Sequence, residues 1–540
     1  MPVPILAQAA FCHHGWEAIP YLGRDGIEPG KQMSVEERAP PRGVRARNGI
    51  SHGVEPPPLA FIARWSFYPW LIVGVTCIGA FVGQIDASIV QLALPTLATQ
   101  FHATLESVSW VALGYLLAFA AFLPIFGRLC EMFGQKLLYI GGFVLFTLAT
   151  ALCGFAANLE WLVLFRILQG IGGALLGANS ISVLVKAVGQ ARRARAMGVF
   201  AAAQAVGLSL GPAIGGVLLG AYGWRGIFLV TVPFGALAIL LGWVTLPVTG
   251  DLSGEQVFDW WGALLLAPAL VALVFTLNQV SALGLSSPLL LACLFAFLLL
   301  MILLIRRERS FAFPLVDLSL FSTPAFFLGA AGVLLGYALL YGMFFLISFA
   351  LVRGYHVPPV LAGLRLAAIP VAIGVVAPFS GALADRLGPH LIKVTGMALS
   401  LAALVVLAVL APGPRIGLDP GLALLALFGA GLGIFIAPNN SATMNAAPRN
   451  LSGEAGGMLN LMRSLGTSLG VASASSMLSW RFRVLTHAPS SALIFKGRPL
   501  LGAVEASFAL LMVYAVIAGT ISLVRPPVRP HAACAALSAR

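Results

Sequence analysis

The chain has 540 residues, of which 59% are hydrophobic and only 9% charged, with a formal net charge of +13. A soluble domain carries about a quarter charged residues on its surface, so a water-exposed globule is excluded. The basic residues fall in short clusters between apolar runs, where they orient a chain in a membrane, and they do not form a nucleic-acid surface.

Residues 1–66 are polar, rich in Pro, Gly and Arg, and lack a cleavable signal pattern. They predict a disordered tail, held in the cytoplasm by Arg38, Arg42, Arg45, Arg47 and Arg64; Met33 is an alternative start. From Tyr68 onward, apolar runs of about 20 residues recur, each long enough to cross a bilayer. They must be helices, because lipid satisfies no backbone hydrogen bonds. The predicted spans are 68–92, 107–126, 137–157, 161–185, 196–220 and 225–247, then 260–280 and 287–305, then 325–352, 359–383, 391–411, 420–444, 455–479 and 503–524. This is an all-α polytopic membrane protein with about fourteen transmembrane helices. With both termini inside, Lys186, Arg192, Arg193, Arg195, Arg306, Arg307, Arg309, Arg386, Lys393, Arg525 and Arg529 fall on the cytoplasmic side. Arg481, Arg483, Lys496 and Arg498 break that rule and fall outside.

The first span ends with Asp86, Gln91 and Pro95. An acid at this depth costs about 2.5–3.5 kcal/mol at a helix centre. It either faces a cavity or a partner, and is then a functional candidate that can bind and release protons, or it snorkels to water from the helix end. After the second span, Gly127, Glu131, Gly134 and Lys136 form a tight loop carrying an acid beside bases. They read as a conformational latch or as a solvated connection. The fourth span carries Arg166, Gln169, Gly170, Gly172 and Gly173. Arginine cannot shed its proton, so Arg166 needs an acid or carbonyl partner, for which Asp86 is favoured, or it snorkels to the outer interface. The glycines lack the strand of a dinucleotide fold and point to close helix packing, as do Gly429, Gly431 and Gly433.

In the fifth span Gly207, Gly211, Gly215 and Gly216 make a groove for another helix, with Pro212 expected to kink it. Asn278 and Gln279 of the seventh span, and Asn439 and Asn440 of the twelfth, are candidates to line a cavity or to bond between helices. Arg365 and Arg463 are the other strong charges near membrane depth, read equally as cavity or interface residues. Gly381, Asp385, Arg386 and Gly388 repeat the earlier Gly127 loop after the tenth span, an offset of eight spans. Two six-helix halves with two helices inserted between them explain that offset. Repeats of this kind are the usual architecture of secondary transporters. The domains are then 1–66 tail, 67–250 first half, 251–310 inserted pair, 311–525 second half and 526–540 cytoplasmic tail.

These stretches together resemble the major facilitator superfamily, whose loop signature is Gly-x-Leu-x-Asp-(Arg/Lys)-x-Gly. The match covers roughly residues 68–524, departing at Glu131, Met132 and Gln135. Ile85 to Pro95 is similar to an element of the EmrB/QacA-type drug:proton antiporters, the fourteen-helix branch of that superfamily. The stretches around Arg166, Gly207 to Gly216, Trp224 to Phe228, Ala362 to Pro370, Pro438 and Gly466 are similar too. The resemblance implies a proton-coupled exporter of hydrophobic or amphipathic small molecules in the bacterial cytoplasmic membrane. It assigns Asp86 and Arg166 to proton coupling and Gly207 to Gly216 to an antiporter-type packing motif. It needs no cofactor beyond the proton gradient and allows a periplasmic adaptor protein as partner. A dedicated exporter of one metabolite or antibiotic is the rival. A membrane-embedded enzyme lacks support, since His102, His356, His390 and His487 are scattered and neither HExxH nor GxSxG occurs. A passive channel would need rings of filter residues. The six cysteines show no metal-ligand spacing, so no metal is expected.

Overall fold

The computed structural model describes residue 55 and residues 57–189, 192–248, 258–284, 286–311, 315–410, 419–448, 451–487 and 496–524. The expectations for residues 1–54, the C-terminal tail, Cys12 and Cys534 lie outside the described residues, as does the side chain of Glu131, whereas the last residues of the tail expected to be disordered include a helical turn. After a helical turn at Ala60–Ala63 come α1 (Tyr68–Gln100), α2 (Leu105–Phe133), α3 (Gln135–Gly154), α4 (Leu159–Val188), α5 (Arg193–Leu229) and α6 (Val232–Thr245). Next are α7 (Trp260–Leu283) and α8 (Pro288–Ser310). The last are α9 (Pro324–Phe349), α10 (Pro359–Leu387), α11 (Pro389–Leu410), α12 (Asp419–Ala446), α13 (Ser452–Thr486) and α14 (Gly497–Leu523).

Among the described residues, 12 stretches are apolar enough to cross a membrane by length and composition, and the count reaches fourteen crossings for two physical reasons. The stretch Arg195–Thr245 is 51 residues long, about twice what one crossing needs. It turns back at Gly223, whose φ of 68° is open to glycine and costly for other residues. That turn lies between the predicted spans 196–220 and 225–247, while Pro212, expected to kink the helix, sits inside α5 without breaking the helical dihedrals around it. The second reason is α13, which carries Arg463 and a run of serines and is too polar to pass on composition.

Local signals explain most helix starts. Thr104 caps α2 by accepting from the Ser107 N–H at 3.2 Å, Asn158 caps α4 through the Trp161 N–H at 2.9 Å, and Asp259 caps α7 through the Gly262 N–H at 3.0 Å. Prolines open α1, α6, α8, α9 and α10, where a missing N–H costs nothing.

The packing repeats with an offset of eight helices. In the first half α1 packs on α4, α5 and α6, α2 on α4, and α3 on α4 and α6; α9 to α14 repeat these pairings one for one. Between the halves α2 meets α13, and α5 meets α10, the same pairing with the halves exchanged. The inserted α7 touches α2 and α13, so it spans both halves, whereas α8 packs chiefly on α7. Leu291, Phe295, Leu298 and Ile302 of α8 are exposed, as a lipid-facing helix requires.

Glycines set the register of this repeat. A Cβ on Gly170 would strike the Tyr115 carbonyl, and one on Gly429 the Ile369 carbonyl. Gly142 meets Gly172 as Gly396 meets Gly431, and Gly207 and Gly211 meet the Phe81 and Ile85 carbonyls as Gly466 and Gly470 meet those of Leu334 and Ala338. Close backbone approach of this kind replaces the hydrophobic drive that lipid does not supply.

The halves are knitted at one end. Gly216 lies against Pro359 and Val360, Gly363 against the Pro212 carbonyl, Ser475 donates to the Leu105 carbonyl at 3.3 Å, and Arg353 donates to Thr99. At the opposite end Gly127, Gly381, Gly453, Gly456 and Gly457 face open space.

Candidate functional site

Two of the most buried charges lie together inside the first half. Asp86 on α1 and Arg166 on α4 are each 1% exposed, which removes the readings in which either snorkels to water. Arg166 Nη1 donates to Asp86 Oδ2 at 2.6 Å and to Gln169 Oε1 at 2.6 Å, and its Nε donates to the Val111 carbonyl at 2.9 Å. Gln169, one turn along α4, donates from Nε2 to Asp86 Oδ1 at 2.8 Å and to Thr150 Oγ1 on α3 at 2.7 Å. The guanidinium also lies over the Tyr115 ring of α2 at 4.4 Å and near Phe228 at 5.9 Å. All four of the helices α1 to α4 therefore hold one carboxylate and one guanidinium in a closed network. Both carboxylate oxygens are satisfied, as a charge without water requires. Protonating Asp86 would cancel its charge and leave Arg166 with neutral partners only.

The remaining candidates divide. Gly207 and Gly211 receive α1, and Gly215 lies against Ile89, while Gly216 and Pro212 meet α10. That groove therefore serves one helix of its own half and one of the other. In the two loops, Gly134 and Gly388 both have positive φ, 102° and 85°, letting the chain double back between helices. Lys136 is buried and donates to the Leu246 carbonyl at 2.7 Å, whereas Asp385 and Arg386 are exposed and, in this conformation, form no ion pair with each other.

Four candidate cavity residues sit elsewhere than a central cavity. Asn278 is buried and donates to Ser109 Oγ at 2.7 Å, and Gln279 donates to the Asn278 amide oxygen at 3.2 Å. Asn439 is buried and donates to the Gly329 carbonyl at 2.9 Å. Asn278 and Asn439 thus join helices, because an unpaired amide in an apolar bundle is costly, whereas Gln279 bonds within α7. Arg365 lines a cavity built wholly within the second half, among Ile347, Tyr355, Leu407, Leu422 and Phe508. Asn440 is half-buried. Arg463 is half-buried on α13, over the Tyr337 ring of α9 at 5.1 Å.

One cluster escaped the sequence reading. Glu106, at the start of α2, is buried and accepts from Ser281 Oγ of α7 at 3.0 Å and from Ser479 of α13. Arg483 of α13 lies 3.7 Å from the same carboxylate and donates to the Ser281 carbonyl. The Ser281 N–H donates to Ser476 at 3.2 Å. This ties α2, α7 and α13 at the knitted end, and it accounts for Arg483, which loop-charge counting could not. The signal was available: an acid and an unexplained base at spans predicted to end on the same side.

A twofold-repeated helical bundle with a buried acid–base network in one half is the design of a membrane transporter. Comparison with known proteins is specific: residues 76–471 match the model of the Major Facilitator Superfamily, and the chain belongs to that family. The riboflavin transporter RibZ of Clostridioides difficile (strain 630) is 31% identical over 417 residues, 76% of this chain and 88% of the relative. The drug efflux pump JefA of Mycobacterium tuberculosis (strain ATCC 25618 / H37Rv) is 32% identical over 408 residues, 74% of this chain and 79% of the relative. An uncharacterized transporter of Escherichia coli (strain K12), YebQ, is 33% identical over 403 residues, 74% and 87% of the two chains. In structure the chain is similar to a bacterial homolog of the human lysosomal transporter Spinster, inward-facing and unoccupied. That likeness has a TM-score of 0.62 at 17% identity, covering 85% of this chain and 97% of the other, and supports the fold.

Proposed function

We propose that the protein is a proton-coupled exporter of hydrophobic or amphipathic small molecules, a fourteen-helix antiporter of the EmrB/QacA type in the bacterial cytoplasmic membrane. The observation that carries this reading is the Asp86–Arg166–Gln169 network, a desolvated carboxylate whose proton state decides the pairing of a permanent cation. With both termini in the cytoplasm, the end knitted by Glu106 faces outward and the Gly127 and Gly381 loops face the cell interior. A proton taken up at Asp86 from outside releases Arg166. That changes the free energy of the two orientations of the halves by different amounts, which is what coupling requires. The Gly127 and Gly381 loops would latch the inner ends in the opposite orientation. Efflux relatives such as JefA favour a drug substrate; a riboflavin transporter among the relatives favours the second reading, a dedicated carrier of one metabolite. A periplasmic adaptor is an added partner in a double-membraned host.

The experiment is transport in everted membrane vesicles carrying the full chain. Substrate addition should discharge an imposed proton gradient, and Asp86→Asn should abolish that discharge with the protein still inserted. Vigorous proton-driven exchange by Asp86→Asn would remove the carboxylate from the mechanism, and accumulation in whole cells instead of exclusion would reverse the direction.

A further inference from the structure

Arg463 is the charge that the exporter reading leaves unused. It sits on α13, about a third of the way along that helix, with its guanidinium 5.1 Å from the Tyr337 ring centre. Three other arginines in the bundle have oxygen partners: Arg166 has Asp86, Arg307 has Asp259 and Arg225 has the Ala156 carbonyl. Among the described residues Arg463 has an aromatic face and no acid within ion-pair distance. A guanidinium keeps its charge even there, so this position holds an uncompensated cation at membrane depth.

Its helix runs along the seam between the halves. Tyr341 stands one turn along α9 from Tyr337, and α13 packs on α2, the helix of Tyr115, in the other half. The repeat shows that this is a departure from the shared plan. By the glycine register, Arg463 stands where the first half has Gln204, Tyr337 where it has Gln84, and Tyr341 where it has Ser88. One cation and two phenols thus replace two neutral amides and a hydroxyl. Arg365, also without an acid, lies inside the second half and away from the seam. Asp86 is already neutralised by Arg166, so the Arg463 charge has no acid to offset it here and is focused by low-dielectric walls.

We propose that Arg463 is an anion-binding point at the seam between the halves, taking a carboxylate or sulfonate of an aromatic amphipathic substrate whose rings lie along Tyr337, Tyr341 and Tyr115. The guanidinium fork accepts a planar carboxylate through two parallel hydrogen bonds, and the phenol rings offer flat contact area with a polar tip. Tyr115 gives the site a link to proton exchange, because the same ring lies under Arg166 at 4.4 Å. An anion arriving on one side of Tyr115 is felt by the Asp86 pair on the other.

The inference deepens the exporter reading by naming a substrate class, and an equilibrium binding assay separates the two. The purified full chain in detergent is titrated with pyrenebutyrate and with its methyl ester, matched in ring and size but not in charge. The wild type should prefer the acid about ten- to a hundredfold, the weight of hydrogen bonds to a charged group. Arg463→Gln should erase that preference, with thermal unfolding in detergent reporting a folded protein, and Arg463→Lys should keep part of it. Equal binding of acid and ester by the wild type overturns the proposal, as does a full preference for the acid in Arg463→Gln. Proton-driven transport is measured separately, so its absence would sink the exporter reading while the acid preference stood.

Discussion

The two halves share a skeleton and differ in what it encloses. Gly170 and Gly429, Gly142 and Gly396, and Gly211 and Gly470 bring matching helices together at matching carbonyls or glycines. Read in that register, Asp86 corresponds to Leu339, Arg166 to Leu425, Gln169 to Phe428 and Thr150 to Leu404. The four polar partners of the first half are thus four buried apolar side chains in the second. The backbone plan tolerates either filling, so the polar network is not needed to build the fold. Buried ion pairs are weak contributors to stability compared with apolar replacements of similar size. Retaining one here is what a switch requires, and the second half keeps instead a seam cation, Arg463.

The largest effect should come from making the first half resemble the second. Asp86→Leu alone strands the Arg166 charge, a loss of about 3–5 kcal/mol for breaking a buried pair, read as a lower unfolding temperature in detergent. Asp86→Leu with Arg166→Leu and Gln169→Phe should recover most of that stability, yet show no proton-driven exchange. A triple variant as unstable as the single one would mean that the halves are not interchangeable scaffolds.

A second effect tests the skeleton itself. Gly170→Ala and Gly429→Ala each press a Cβ onto a backbone carbonyl. Each should destabilise by about 1–3 kcal/mol, the usual cost of overpacking, and by similar amounts. Thermal unfolding of the two variants checks this; a large loss in one and none in the other breaks the correspondence on which the comparison rests.

Next comes the knitted end, where Glu106 gathers α2, α7 and α13. Glu106→Gln keeps the shape and removes the charge facing Arg483. It should loosen this end about tenfold or more, on the order of the 1.5–3 kcal/mol that a hydrogen bond to a charged group carries. The readout is the thiol-labelling rate of a cysteine placed at Ser476 in a chain with its other cysteines replaced. An unchanged rate would show that the glycine contacts at Gly216 and Gly363 hold the end without Glu106.

Much of this was legible before the structure. Run lengths and the Gly127–Gly381 repeat pointed to fourteen helices in a six, two, six order, because lipid forces apolar runs into helices. Asp86 and Arg166 stood out because a charge at that depth demands a partner, and the partners proved to be each other. Composition alone would have missed α13, whose serines and Arg463 face other helices and the seam. Glu106 was illegible for a different reason: an acid in the first turn of a helix reads as an ordinary dipole partner, and its contact with Ser479 spans 373 residues. Asn278 and Asn439 show a third kind of limit. An amide in a membrane helix announces that it must bond, without saying whether to a neighbouring helix or into a cavity.

The smallest predicted effect bears on the edge of the polar network. Thr150 Oγ1 donates to the Phe146 carbonyl at 2.6 Å and accepts from Gln169 Nε2 at 2.7 Å. Thr150→Val keeps the side-chain shape and removes both. The Phe146 carbonyl retains its place in the α3 helix, so the net loss is the bond to Gln169, about 0.5–1.5 kcal/mol. Gln169 would still hold Asp86 and Arg166, and proton exchange should continue with less than about a tenfold change in the proton concentration for half-maximal rate. The second half tolerates Leu404 at this position because Phe428, facing it in the repeat, has no amide to satisfy. Thr150→Val should therefore cost little once Gln169→Phe is already present, a coupling that a double-mutant cycle on unfolding free energy measures. Additive losses would mean that Thr150 acts apart from Gln169, and that the polar side of the first half ends one residue sooner than the hydrogen bonds indicate.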